Sequence, residues 1–365
     1  IGMTPSRKKD LARYLAMIEC LDDRMGDLVN YVRKKGIEDN TVFVFLTDNG
    51  CLFNPYYASY PQRGKKAQLY EGGHRVPCWI SYPGNLASNL DIGGLTQVQD
   101  ILPTLAELCH IDTDAHFDGI SLAGVLREED QVPDRMLCIN FSRMPTAFNY
   151  PSPHGSATVR RGETAVLWRR WRLLPGDELY NLDTDSLQRK NVRDSFPEIF
   201  SRLQNERDRW WNDVKDVSAQ TLPLVVGAPG RDSTLLTACD WMNVFVDQQA
   251  QVRKGTRRNS YWMLDVRRSG RYLLELRRYP RESGLSLDSA PDGCNHFDIA
   301  RAGIFIGLED ETVNKRSPVS KGDECACFEV TLPEGPAALH TWFLDADNEA
   351  TQDAVLEALA ELVYG

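Results

Sequence analysis

Two oxygen-bearing side chains follow an apolar run near the start of the chain. Residues 41–46 (TVFVFL) are almost continuously apolar, and Thr47, Asp48, Asn49 and Gly50 come directly after them. Such a run predicts a strand that is buried on both faces, as in a parallel sheet. Ligands of open α/β sheets bind just beyond the carboxyl ends of the strands. The Asp48 carboxylate and the Asn49 amide oxygen are hard donors, which suit Ca²⁺ or Mg²⁺ better than a soft metal.

A plain turn is the alternative for the same residues. Asn-Gly after an apolar run is a strong hairpin signal. Taken alone, these residues favour a plain turn and a metal site about equally. Only residues 51–53 are available for a returning strand before Asn54 and Pro55 interrupt it. Because the next strand candidate is residues 76–82, we expect no tight hairpin here.

A lysine stands ahead of a second motif. Lys66 precedes Tyr70 by four residues in the segment KKAQLYEGGHRVP, residues 65–77. A lysine ammonium is a point charge that suits a bound anion. A solvated lysine is the alternative for Lys66, and Lys65 is a rival for the same role.

The other residues of this motif are expected to be structural. The glycine pair at residues 72 and 73 predicts a tight turn before the next strand. Arg75 is expected to pair with Glu71 or Asp48, and we place His74 outside the site.

The order of these motifs resembles the second half of a sulfatase catalytic domain, in the alkaline-phosphatase superfamily. TVFVFLTDNG, Lys66, LYEGG and RVP carry the resemblance, which extends over most of residues 7–215. It implies an α/β fold with a sulfatase-like mixed sheet flanked by helices and a small antiparallel sheet. It also implies that Asp48 and Asn49 bind a divalent cation, Ca²⁺ or alternatively Mg²⁺, and that Lys66 contacts the substrate sulfate.

The nucleophile of the family has no candidate in this chain. In sulfatases it is a formylglycine made from Cys or Ser in a C/S-x-P-S-R motif upstream of DNG. Residues 3–7 (MTPSR) mimic that motif, but a methionine thioether cannot become formylglycine. The resemblance therefore implies a fragment that lacks the nucleophile-bearing part and is inactive alone. It also implies a periplasmic or extracellular protein that acts on a sulfated small molecule or glycan.

Two other functions remain open. One is a phosphonate or phosphodiester hydrolase of the same superfamily. The other is a non-catalytic glycan-binding relative, in which Trp241, Trp262 and Trp342 would stack on sugars, although buried core tryptophans are the favoured interpretation.

Composition excludes several classes of protein. The 365 residues carry a net charge of −10, which argues against nucleic acid as the main partner. The sequence contains no apolar stretch of about 18 residues, so it predicts no transmembrane helix. The nine cysteines lack zinc-type spacing, and the closest pair, Cys325 and Cys327, is too short for a CxxC site. We expect free thiols, with a disulfide as the alternative, and the oligomeric state stays open.

Periodicity predicts the elements around the site. A long amphipathic helix is expected before residue 36, with Ser6 as its cap and Gly36 as its end. We predict further helices at 98–108 and 197–214 and strands at 76–82, 136–141, 164–168, 171–174 and 178–182. Residues 1–215 thus form the catalytic portion, residues 216–234 a linker, and residues 235–365 a β-sandwich-like domain. Its strand candidates are 242–246, 261–266, 271–277, 303–308, 325–332 and 338–344, and residues 353–363 look helical.

Overall fold

A computed structural model describes residues 3–53, 62–141, 159–220, 222–242, 253, 255, 260–291, 293–345 and 359–364. The chain divides into two compact units. Unit 1 comprises residues 1–142 and 159–216, and unit 2 comprises residues 143–158 and 217–365. The segment predicted as a linker, residues 216–234, contributes two strands to unit 2. Gly227, Pro229 and Gly230 lie between these strands, which pair with later parts of the chain.

Unit 1 contains helices and two antiparallel sheets. In chain order its elements are α1 (Pro5–Lys35), β1 (Phe43–Leu46), the single-turn α2 (Glu71–His74), β2 (Cys78–Ser81), α3 (Ile101–Leu108), α4 (Ala123–Leu126), β3 (Met136–Asn140), β4 (Thr164–Trp168), β5 (Trp171–Leu174), β6 (Glu178–Asn181) and α5 (Pro197–Ser218). Strands β3 to β6 pair in sequence order as an antiparallel meander. The predicted α/β class and small antiparallel sheet are confirmed.

Strand β1 differs from its prediction. It pairs antiparallel with β2, with Phe43 opposite Ser81 and Leu46 opposite Cys78. None of its four residues is buried, and Trp79 of β2, which stacks on Phe45 at 5.2 Å between ring centroids, is 64% exposed. The expectation of a parallel strand covered on both faces is therefore wrong for the part of the chain that the structure describes. The reason is that β1 and β2 form a sheet of only two strands there. Such a small sheet leaves the apolar side chains of β1 partly exposed.

Helix α1 ends at Gly36 as predicted but begins earlier than predicted and buries little surface. Thr4, rather than Ser6, is its cap, because Pro5 occupies the first helical position and the Thr4 hydroxyl accepts from the Arg7 N–H at 3.3 Å. Gly36 ends the helix in the left-handed conformation, with φ of 66°. Among its described residues only Val32 is buried, and Met17 is 71% exposed.

The meander and α5 form the main core of unit 1. The inner face of the sheet includes Val166, Leu173 and Leu179, and Phe200 and Leu203 of α5 pack against it. The apolar residues of α5 recur at helical spacing, so that one face of this helix is buried as predicted. This core carries β5 and β6, which position part of the candidate site.

The described residues of unit 2 form strands in two sheets, with short 3-10 turns. Its strands are β7 (Leu224–Val226), β8 (Ser233–Leu236), β9 (Tyr261–Val266), β10 (Gly270–Arg277), β11 (Ile299–Gly307), β12 (Thr312–Pro318), β13 (Ala326–Leu332), β14 (Gly335–Asp345) and β15 (Leu359–Tyr364). The sheet orders are β12-β11-β14-β9-β7 and β13-β10-β15-β8. Both sheets contribute to one core, as in the predicted sandwich.

One prediction in unit 2 needs correction, and the favoured interpretation of two tryptophans is confirmed. Residues 359–364 form β15 rather than a helix, because this segment fills the place between β10 and β8 and pairs with both strands. Residues 353–358 lie outside the described part of the chain, as does the strand predicted at 242–246 apart from Met242. Trp262 and Trp241 are 0% and 5% exposed, so they are core residues and not a sugar-stacking surface. Trp342 covers Gly303, where a Cβ would lie 2.4 Å from the indole.

Candidate active site

The DNG segment, residues 48–50, packs directly against α2. The Gly50 N–H donates to the Gly73 carbonyl at 2.9 Å. A Cβ at residue 50 would lie only 1.9 Å from the Gly72 carbonyl oxygen, so any side chain there would force the two segments apart. Two motifs that are 20 residues apart in the sequence are thus in backbone contact.

The lysine loop, residues 62–70, is also in close contact with α2. Its Lys65 carbonyl accepts from the Gln68 N–H at 3.1 Å, and Ala67 has a positive φ of 70° at the tip. A Cβ on Gly73 would lie 1.8 Å from the Gln68 carbonyl oxygen. The predicted role of the glycine pair was a tight turn. The structure gives a different reason, which is that two other backbone segments approach α2 closely at these glycines.

The three predicted site residues differ in exposure. The side chains of Asp48 and Lys66 are exposed, and Asn49 is half-buried. The Asn49 amide donates to Asp48 Oδ2, so these two side chains touch. Lys65 is half-buried beside the exposed Lys66. The structure therefore brings Asp48 and Asn49 together and joins the loop of Lys66 to the same helix through Gly73.

A buried ion pair anchors α2 to the meander. Arg172 of β5 donates to Glu71 Oε1 at 2.6 Å, and these residues are 4% and 2% exposed. The Glu71 N–H donates to Gln188 Oε1 at 2.9 Å. Arg75, the predicted partner of Glu71, is 3.8 Å from its other oxygen. Arg172 was missed from the sequence because its basic side chain lies on a strand 101 residues later, with no local signal.

His74 is more buried than its loop position predicted. Its side chain is 10% exposed, and its Nε2 lies 3.7 Å from Glu71 Oε1. Burial lowers the pKa of His74 below its usual value, and the nearby Arg172 lowers it further, although Glu71 acts in the opposite direction. His74 is therefore neutral at pH 7. It supports α2 and is not a charged group of the site.

Arg63 ties the lysine loop to β6. Its Nη2 donates to the Tyr70 hydroxyl at 2.8 Å, and the guanidinium stacks 3.8 Å from the centroid of the same ring. Its Nη1 donates to the Tyr180 hydroxyl at 3.2 Å and to the Gln188 carbonyl. Both tyrosines donate to Glu178 Oε2, at 2.9 and 2.8 Å.

This hydrogen-bonded network holds two phenols in the protonated state. Burial raises the pKa of Tyr180 to about 12, and the hydrogen bond to Glu178 adds to the effect. The pKa of Tyr70 is raised for the same two reasons. Neither phenol ionises near neutral pH. The network therefore supports the lysine loop through hydrogen bonds that do not change with pH in this range.

The N-terminal part of the chain is similar to known sulfatases. Residues 2–111 match the family model described as Sulfatase. A sulfatase of Formosa agariphila is 37% identical over 137 residues, which cover 34% of this chain and 24% of that protein. We call residues 2–111 the sulfatase segment, after this similarity. The matched range contains the DNG segment, the lysine loop and α2.

Other sulfatases resemble the chain more distantly. Mouse arylsulfatase J is 25% identical over 177 residues, covering 46% of this chain and 29% of that protein. The crystal structure of Ps i-CgsB in complex with k-i-k-neocarrahexaose has 22% identity and a TM-score of 0.45, and covers 54% of this chain and 42% of that one. The chain thus spans less than half the length of each of these relatives.

The donor set of the sulfatase segment fits part of a calcium site. Asp48 and Asn49 offer a carboxylate and an amide oxygen side by side, and Ca²⁺ takes six to eight oxygen ligands. The amide nitrogen of Asn49 now faces Asp48. Rotation of that amide by half a turn would place two oxygens next to each other, an arrangement that a cation stabilises.

The helices in the described part of the chain all lack the combination of length and apolar character needed to cross a bilayer.

Proposed function

We propose that this chain forms the rear part of the active site of a sulfuric ester hydrolase, similar to the arylsulfatases. The observation that carries the proposal is the contact of Gly50 with Gly72 and Gly73. It joins the turn that carries two hard oxygen donors to the helix beside the lysine loop. The sulfatase-family match over residues 2–111 supports the same function.

Each site residue has a distinct role in this proposal. Asp48 and Asn49 hold a divalent cation, Ca²⁺ or alternatively Mg²⁺. A bound cation supplies positive charge that stabilises the negative charge developing on the sulfate oxygens. The exposed Lys66 ammonium adds a second positive charge on the substrate sulfate. Arg63 and the two tyrosines it contacts keep the lysine loop in position.

The remaining catalytic groups come from polypeptide outside these 365 residues. Two oxygen donors supply only a fraction of the ligands that Ca²⁺ requires. The formylglycine nucleophile of the family has no precursor here. Relatives such as arylsulfatase J are longer, since the match covers only 29% of that protein. We therefore expect the chain alone to be inactive.

The substrate and the compartment follow from the resemblance to sulfatases. We propose a sulfated small molecule or a sulfated glycan as the substrate, and a periplasmic or extracellular location. The half-buried and exposed side chains around Asp48 and Lys66 leave the site open to a solvent-borne sulfate group.

A matched pair of lysine variants tests the role of Lys66. In the full-length protein that carries this chain, Lys66→Ala should lower kcat/KM for an aryl sulfate by about 100-fold, as removal of one charge-stabilising donor does. Lys65→Ala is the control and should lower it by less than about tenfold. A larger loss for Lys65→Ala would move the role to that residue. Equal and small losses would refute it for both.

The cation and the reaction class need separate measurements. Asp48→Ala should abolish calorimetric binding of Ca²⁺ by the full-length protein, whereas Asp39→Ala, which changes an exposed carboxylate before β1, should not. Turnover of the aryl sulfate by the 365-residue chain alone would contradict the proposed division of the active site. Faster hydrolysis of an aryl phosphonate or a phosphodiester than of the sulfate would favour the alternative reaction class.

A further inference from the structure

Two cysteines and a glutamate of unit 2 lie together on one face of a sheet. Cys327 of β13 is directly opposite Glu275 of β10. Cys325 precedes Cys327 by two residues, so both thiols project from the same face, while Ala326 and Phe328 between and beyond them are buried in the core. The two sulfur atoms are 3.6 Å apart. One oxygen of Glu275 and both sulfurs lie within 4.8 Å of one another.

The sulfur separation matches a shared metal ion. Two thiolates at about 2.3 Å from Zn²⁺, with a tetrahedral angle between them, are about 3.8 Å apart. A disulfide needs sulfurs about 2.05 Å apart and Cβ atoms within about 4.5 Å. Residues two apart along an extended strand are separated by about 6.6 Å, which is at the upper limit for a disulfide. The geometry is therefore closer to that of a chelating dithiol than to that of an oxidised pair.

The third donor is an ionised carboxylate with a free edge. Arg281 and Arg277 donate to the same oxygen of Glu275, Oε2, at 2.7 and 3.1 Å, and neither donates to Oε1. Burial alone would raise the pKa of Glu275, but these hydrogen bonds lower it below its usual value. The arginines thus fix the carboxylate through Oε2, and within the described residues neither of them occupies Oε1.

The local charge is compatible with a bound cation. Arg277 also pairs with Glu324 at 3.6 Å, so two arginines face two carboxylates. A divalent cation that displaces the protons of two thiols forms a neutral unit with them, and the two protons leave to solvent. Cys327 is exposed, so a water molecule can take a fourth position. Glu275, Cys325 and Cys327 are the group of three potential ligands found among the described residues with atoms close enough to share an ion.

We propose that Glu275, Cys325 and Cys327 bind a thiophilic divalent cation such as Zn²⁺, in a site built from unit 2 alone. Soft thiolates select Zn²⁺ over the hard cations that Asp48 and Asn49 would hold. The site takes Glu275 from β10, Cys327 from the adjacent strand β13, and Cys325 from the residue just before β13. A cation there would join the start of β13, an edge strand, to its neighbour.

Cobalt and zinc binding to the full chain tests this proposal. We expect the reduced wild-type chain to take up one Zn²⁺, measured by metal analysis after gel filtration, and to give a thiolate-to-cobalt charge-transfer band with Co²⁺. Cys327→Ser and Cys325→Ser should lose that band. Each variant, and Glu275→Gln, should weaken Zn²⁺ binding by at least about tenfold, the loss that follows even from removal of a group that only orients a ligand.

Control variants separate this site from the other cysteines. Cys109→Ser replaces an exposed thiol of unit 1 and should leave the stoichiometry and the band unchanged. Circular dichroism of each variant checks that unit 2 is folded. Zinc binding that is equal in wild type and Cys327→Ser would overturn the proposal. So would a reduced wild-type chain that binds no Zn²⁺, or a Cys325–Cys327 disulfide that persists in the purified chain and re-forms in the presence of Zn²⁺.

Discussion

Two regions of unit 1 have similar apolar patterns but very different burial. In the region of β3 to β6 and α5, all five residues of β4 are buried, and Phe200 and Leu203 of α5 are in the core. In the region of α1, β1 and β2, the 31-residue helix buries only Val32 and β1 buries none of its residues. Periodicity therefore predicts which face of an element is apolar. Burial depends in addition on a second surface that covers the face.

The contrast bears on function because the site lies between these two regions. The DNG segment follows β1 in the exposed region, and α2 is fixed to the buried region by Glu71 and Arg172. The contact of Gly50 with α2 connects them. The DNG segment, where we propose a cation, thus lies at the less buried edge, where the proposed remainder of the active site would have to join.

The largest expected effect concerns the ion pair that anchors α2. Arg172→Met would leave the Glu71 carboxylate buried without its main partner, which costs about 3–5 kcal/mol. The free energy of unfolding of unit 1 should fall by that amount. Urea titration measures it, with amide exchange in β5 as the probe of unit 1. Arg170→Met is the control, because Arg170 makes an exposed pair with Asp183 at 3.0 Å. It should change stability by less than about 1 kcal/mol.

The ion pair also allows a more specific check. Glu71→Leu combined with Arg172→Met replaces both charges and should recover much of the lost stability, because no unpaired charge remains. If Arg172→Met alone costs no more than Arg170→Met, the pair does not anchor α2.

A second pair of variants tests the comparison itself. Leu203→Ala in α5 removes a side chain that is 0% exposed and should destabilise unit 1 by about 2–5 kcal/mol. Leu21→Ala in α1 removes one that is 49% exposed and should cost less than about 1 kcal/mol. Both are measured by urea unfolding of the 365-residue chain. Equal losses would show that α1 is covered in solution, for example by a second molecule, and the contrast would fail.

The same comparison explains what the sequence could predict. Helix α5 and most strands of unit 2 are predicted correctly because helical spacing or alternation matches their burial, as in β9, where buried and half-buried residues alternate. The pairing of β1 was not, since an apolar run of four residues fits either a parallel or an antiparallel neighbour. Strand β15 was missed because Ala, Glu and Leu favour a helix, and tertiary pairing outweighs that preference.

The site was predictable only where its chemistry is local. Asp48, Asn49 and Lys66 belong to short motifs, and their roles stay predictions. The residues that position them, Arg63 and Arg172, make contacts to residues more than 100 positions away, which no spacing rule shows. The glycine pair was recognised, but its reason, close backbone approach on two sides, needed the packed structure.

The smallest expected effect is a pH dependence at the join between the two regions. The pKa of His74 is lowered in the folded chain, chiefly by burial. In the unfolded chain a histidine has a pKa of about 6.5. Above that pH His74 is neutral in both states and stability is unaffected. As the pH falls below it, the unfolded state takes up a proton that the folded state resists, so the free energy of unfolding falls. The groups that face His74 are Glu71, Arg172 and Arg75.

The variant His74→Gln should therefore lose this part of the pH dependence. Between about pH 7.5 and pH 5.5 its stability should fall less steeply than that of the wild type, because glutamine does not titrate. His116→Gln, which changes an exposed histidine, should keep the wild-type slope. Urea unfolding at several pH values, followed by amide exchange in β5, measures both slopes. Identical slopes for wild type and His74→Gln would mean that α2 leaves this side chain open to water, and the close packing of α2 between the DNG segment and the lysine loop would then be lost in solution.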